Sequence, residues 1–175
     1  MKNKMKIICL NLIALLVFSF SNAQNGIFKT GVHVGLPIAE ANNNYSLNLG
    51  VDLSYAWKIS DKFSLGLATG YTSYSSKRRT FFVEGINQYI EFKPVAAGYI
   101  PIVVTGQYSI TNSLFLGVDL GYAIYNEAAD GSSGLIYQPK FGFQTKKTEL
   151  YIGYKVINLE NFTMSSINLG FNYKF

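Results

Sequence analysis

Hydrophobic and polar residues alternate with period 2 along most of the chain. The pattern is cleanest in the last nine residues, where Ile167, Leu169, Phe171, Tyr173 and Phe175 alternate with Asn168, Gly170, Asn172 and Lys174. Successive side chains of a strand point to opposite faces, so such a stretch predicts a strand with one apolar and one polar face. The same pattern predicts a strand from Phe28 to Leu36 and a second from Tyr45 to Trp57. It predicts further strands from Phe63 to Tyr74, Tyr99 to Ile110, Leu114 to Tyr125, Leu135 to Thr145 and Glu149 to Ile157. In the strand from Glu149 the alternation is weaker, because Tyr151 and Ile157 fall on the polar side. The closing strand follows a loop from Leu159 to Ser165, which brings the count to eight.

The connections alternate in length. Those after the second, fourth and sixth strands are short, as at Ile59-Ser60-Asp61-Lys62, Thr111-Asn112-Ser113 and Lys146-Lys147. The others are longer, and the stretch from Ser75 to Gly98 is the longest; the third and fourth strands are expected to extend into it. An even number of strands near the ~9–11 residues that cross a bilayer at a tilt, with short turns at one end and long loops at the other, describes an up-and-down transmembrane β-barrel.

Alternation alone does not say which face points outward, because a soluble barrel alternates too. Composition decides. Charged residues make up only 14% of the chain and aromatic residues 15%, whereas soluble domains average roughly 25% charged residues. The polar face is built mostly of Gly, Ser, Ala, Asn and Thr rather than the Lys and Glu of a water-exposed surface. Tyr45, Trp57, Tyr99 and Tyr173 lie toward strand ends, where interfacial aromatic girdles are expected. The apolar face is therefore expected to meet lipid.

The first 23 residues read separately. Lys2, Lys4 and Lys6 precede an apolar run from Ile7 to Phe18, and Ser21 and Ala23 follow in the small-residue arrangement that a signal peptidase cuts. This predicts a signal peptide over 1–23 and a barrel domain over 24–175. Three of the 15 basic residues leave with it while all 10 acidic ones stay, so the net charge falls from +5 to +2. The basic balance is then poor evidence for nucleic-acid binding. The single cysteine, Cys9, leaves too, so no disulfide is expected.

The layout, and most specifically the closing strand that ends on Phe175, resembles the small eight-stranded outer-membrane β-barrel proteins of Gram-negative bacteria, of the OmpA/OmpX type. The resemblance covers the whole chain after residue 23. It implies an all-β, antiparallel barrel in the cell outer membrane, and a barrel-insertion signal at Ile167, Leu169, Phe171, Tyr173 and Phe175. It implies outer-membrane lipid, lipopolysaccharide and the barrel-insertion machinery as partners, with room for a further extracellular or envelope protein. The architecture serves several functions. The expectation is a structural, surface-interaction or envelope-maintenance role without enzymatic activity. The alternatives are a narrow channel for small or hydrophobic solutes, and an accessory barrel of a secretion or motility machine.

An eight-stranded barrel leaves an interior about wide enough for side chains to fill. By parity the lumen receives His33, Asp52, Gln107, Asp119, Lys140 and Lys155, joined by Lys29, Gln138, Gln144 and Lys174. Strands five to seven are neighbours, which predicts that Asp119, Lys140 and Lys155 lie close together in an ion-pair network that satisfies buried charge. His33, the single histidine, is expected to be a packed interior residue. One histidine without cysteine makes no zinc site, and glycines that alternate along strands do not form a phosphate loop. No cofactor and no metal are expected. Lys77, Arg78 and Arg79 lie in the longest loop, where they are placed to contact anionic lipopolysaccharide.

Overall fold

In a computed structural model, residues 26–83, 85, 88–92, 96–126, 132–160 and 162–175 are described. The expected signal peptide, 1–23, lies outside them. Eight strands form a closed antiparallel barrel: β1 (Gly26–Ile38), β2 (Tyr45–Lys58), β3 (Phe63–Ser76), β6 (Ala97–Ser109), β7 (Leu114–Tyr125), β8 (Gly134–Gln144), β9 (Thr148–Asn158) and β10 (Thr163–Lys174). A short helix, α1 (Glu40–Asn44), follows β1. Strands β4 (Arg79–Val83) and β5 (Gln88–Phe92) pair only with each other.

The barrel closes by pairing its last strand with its first. Val32 lies opposite Phe171, Val34 opposite Leu169 and Leu36 opposite Ile167, so the apolar sets of both strands share one face. The other side of β1 matches β2 in the same way, with Val32 against Val51 and Val34 against Leu49. That face points outward: Val32, Leu36, Leu53, Leu120 and Phe143 are each 44–61% exposed. An apolar belt around the whole barrel far exceeds the few-hundred-Å² patches that soluble monomers tolerate. It is stable where lipid covers it, and closure leaves the ladder no free edge within the bilayer. No helix among the described residues is long and apolar enough to cross a membrane.

The eight strands lie where the pattern predicts, with two differences. The closing strand begins at Thr163, so much of the expected 159–165 loop is ladder: Met164 pairs with Ile157 and Ser165 with Val156. Its alternation breaks there because Met164 and Ile157 both point into an interior that is apolar at that level (each 1% exposed). Secondly, β3 and β6 each extend only two residues into the long connection. They stop at Ser76 and Ala97, and the hairpin β4–β5 between them forms its own two-stranded sheet.

The short turns and both ends of the barrel lie at one rim. There the amide of Phe175 donates to the carbonyl of Phe28 at 2.9 Å, and the two rings lie 5.7 Å apart. At the opposite rim, α1 sits over the lumen with Ala41 fully buried. Small inward residues make this filling possible. Gly35, for example, lies between Asn48 and Asn168 on the flanking strands, and both amide side chains occupy the space a β carbon would need.

Candidate functional site

The interior is stacked in three tiers. The lowest, at the rim of short turns, is polar and centres on Glu149. Lys29 donates to Glu149 Oε1 at 2.7 Å, and Lys174 approaches the same oxygen at 3.5 Å. Gln107 Nε2 donates to it at 3.2 Å, and Asn172 donates to Oε2 at 3.2 Å. The network continues from Gln107 to Gln144 and from Gln144 to Ser109, each at 2.9 Å. Glu149 is only 2% exposed. A buried carboxylate needs such partners, because desolvation costs on the order of several kcal/mol per ion.

The middle tier holds two groups. Lys140 pairs with Asp119 at 2.7 Å and sits 5.3 Å from the centre of the Tyr151 ring. Beside it, His33 Nδ1 lies 2.7 Å from Asp52 and Nε2 lies 3.0 Å from Lys155 Nζ. A neutral imidazole satisfies both contacts, donating from Nδ1–H to the carboxylate and accepting from the ammonium at Nε2. Thr72 Oγ1 completes the group, 3.1 Å from Nε2 and 3.3 Å from Lys155. Asp52, His33 and Thr72 have the order of a carboxylate–imidazole–hydroxyl triad. Here, however, the ammonium occupies the lone pair that would have to take the threonine proton, and Thr72 is 2% exposed. The arrangement does not make an activated nucleophile. Between these tiers lies a cavity of ≈ 50 Å³, room for a few water molecules, bordered by Lys29, Asp52, Asp119, Lys140, Glu149 and Lys155.

The upper tier is apolar. The rings of Tyr45, Tyr74, Tyr99 and Tyr125 form a chain across the lumen, with centroids 5.7, 6.0 and 5.4 Å apart in that order and mostly edge-to-face. Val103, Ala123, Ile136, Ile157, Met164 and Ala41 pack around them. Tyr74 is fully buried.

The structure thus brings Asp119 and Lys140 together but directs Lys155 to His33 and Thr72. His33, Asp52, Gln107, Asp119, Lys140 and Lys155 all face the lumen, yet they belong to different tiers. Sequence reasoning misses Glu149 because it sits at a strand start beside the Lys146-Lys147 turn. Its signal is the two-residue spacing to Tyr151, Gly153 and Lys155. Tyr99 and Tyr45 are not girdle residues. Tyr99 shares the inward parity of Pro101 and Val103 and is 3% exposed. A register shift between Tyr45 and Leu47 turns Tyr45 toward Tyr74. At the outer rim, Lys77 Nζ donates to the carbonyl and Oδ1 of Asn42 at 2.7 and 2.6 Å. Arg78 is exposed. Arg79 starts β4, and its side chain lies outside the described residues.

No profile of a known family and no curated protein matches the chain. Solved structures do. Ail, the attachment invasion locus protein of Yersinia pestis, superposes with a TM-score of 0.55 at 15% identity, covering 87% of this chain and 100% of that one. Ail in complex with the heparin analogue sucrose octasulfate gives a TM-score of 0.51 at 16% identity, covering 87% and 100%. A de novo designed transmembrane β-barrel gives 0.51 at 12% identity, covering 87% and 98%. At these identities the likeness is one of fold. The chain has the fold of the small eight-stranded outer-membrane β-barrels.

Proposed function

We propose that the chain works in the outer membrane as a non-enzymatic barrel whose role is structural or lies in surface interaction, with its long loops and the β4–β5 hairpin displayed outside. The observation that carries this reading is the filled interior. A charge network occupies the lower and middle tiers and four tyrosines cross the upper one. A barrel filled in this way is a scaffold for what projects from its rim. Envelope maintenance is the form of this role that needs no soluble ligand. In planar bilayers the purified barrel is expected to give no sustained conductance. A steady open level would favour the narrow-channel reading instead, through the water-sized cavity between the charged tiers.

The outer rim supplies the lipid contact. The expected attraction for lipopolysaccharide phosphates rests on the basic run Lys77-Arg78-Arg79. Replacing both arginines with Gln is expected to weaken retention on lipopolysaccharide-coated beads several-fold at low salt. The difference should shrink as salt screens the attraction. Equal retention of the variant would remove this contact. Partnership with the barrel-insertion machinery rests on the closing strand. An accessory role in a larger machine would show as a stable crosslinked complex from membranes.

A further inference from the structure

The helix α1 is held over the outer mouth of the lumen by little of its own. It has five residues, no side chain caps its N-terminus, and its one buried residue is Ala41. The residue that joins it to β1, Ala39, has φ 51° and ψ −133°. A side chain disfavours that backbone region, which Gly enters readily. Strained non-glycine residues of this kind persist where surrounding contacts over-determine them. Lys77 supplies such contacts here. Its amide donates to the carbonyl of Asn44 at 2.8 Å, and its ammonium donates to Asn42 at both the carbonyl (2.7 Å) and Oδ1 (2.6 Å). These bonds cross from the end of β3 to α1, and they lie on the water side of the cap.

Beneath the cap the interior is closed. Ser166, Asn168 and Asn48 are fully buried, and the tyrosine chain packs against Ala41 through the same apolar cluster. Both amide atoms of Asn48 and Asn168 lack a protein partner. The Lys77 side chain is the charged contact that ties α1 to the end of β3.

We infer that α1 is a latched cap on the lumen, hinged at the strained Ala39 and held shut by Lys77. This rests on the sealed-barrel reading above and adds how the outer seal opens. It concerns access from outside to the space beneath α1. It does not require a path through the lower tiers, so the two can fail separately.

The test uses the single-cysteine chain Ser166→Cys, with Cys9→Ser, refolded into liposomes. Ser166 faces inward on β10, the strand against which α1 chiefly packs. Its labelling rate by a small, charged methanethiosulfonate added outside reads the opening of the cap. Adding Lys77→Met, which keeps the stem and removes both ammonium bonds to Asn42, is expected to speed labelling by about tenfold. Adding Ala39→Gly, which relieves the hinge, is expected to slow it. A control cysteine in place of exposed Asn126 should label equally in all backgrounds. Equal rates with and without the Lys77→Met substitution would overturn the proposal. So would acceleration at the control position by the same factor, because that reports general loosening rather than a latch. Unchanged bilayer silence of the Lys77→Met barrel would leave the sealed-barrel reading standing while the labelling decides the cap.

Discussion

Glu149→Gln is expected to be the most destabilising conservative substitution in the barrel, at about 3–5 kcal/mol, the cost of removing one partner from a buried ion pair. The side chain keeps its size and can still accept a hydrogen bond, so the loss is one of charge. Lys29 and Lys174 would remain in the lower tier without their common carboxylate, and Lys29 is itself 7% exposed. Asp119→Asn should cost less, because the Asp119–Lys140 pair keeps 13–14% side-chain exposure and Tyr151 faces the ammonium. Urea titration in detergent, followed through the single tryptophan, Trp57, measures both. The ranking is wrong if Asp119→Asn shifts the midpoint further than Glu149→Gln.

Phe175→Ser is expected to lower the amount of barrel in the outer membrane several-fold while leaving refolding in detergent nearly unchanged. The asymmetry follows from where the ring sits. Phe175 is 73% exposed, and its ring lies against the rim aromatics Phe28, at 5.7 Å, and Tyr173, at 5.0 Å. Its bond to β1 is made by the backbone amide, which serine retains. Surface substitutions away from buried contacts stay within about 0.5 kcal/mol, so a large fall in membrane yield would reflect how the closing strand is read during insertion. Ile167, Leu169, Phe171 and Tyr173 belong to the same apolar row, but they also face the lipid belt, so their substitution would mix the two effects. A Phe175→Ser chain that reaches the membrane in full would remove the insertion role.

The barrel was legible because lipid outside and small polar residues inside impose one rule on every strand. Alternation places Val32, Val51, Leu120 and Phe143 outward and His33, Asp52, Asp119 and Lys140 inward without reference to any partner. It fails where the inside stops being polar. Tyr99, Ile157 and Met164 point inward at the upper tier, and their apolar character reads as noise in a pattern that expects Gly or Ser there. The same blindness hid the start of β10, because Met164 and Ser165 break the alternation although both are paired with β9. Partner choice within the lumen was less legible still. Parity brings Lys155 to the interior, but only the depth of its side chain and the position of Thr72 across the barrel decide that it meets His33 rather than Asp119. The bonds between Lys77 and Asn42 join the end of β3 to α1, far apart in sequence, and no local pattern encodes them.

The chain crosses a membrane as one closed eight-stranded barrel. Gel migration of the membrane-fraction protein, unheated against boiled in detergent, tests it most directly, because a closed ladder resists detergent until heat unfolds it. The protein is expected to be recovered with outer membranes, and its band to shift on boiling. A protein recovered in the soluble fraction, with one band position before and after heating, would contradict it.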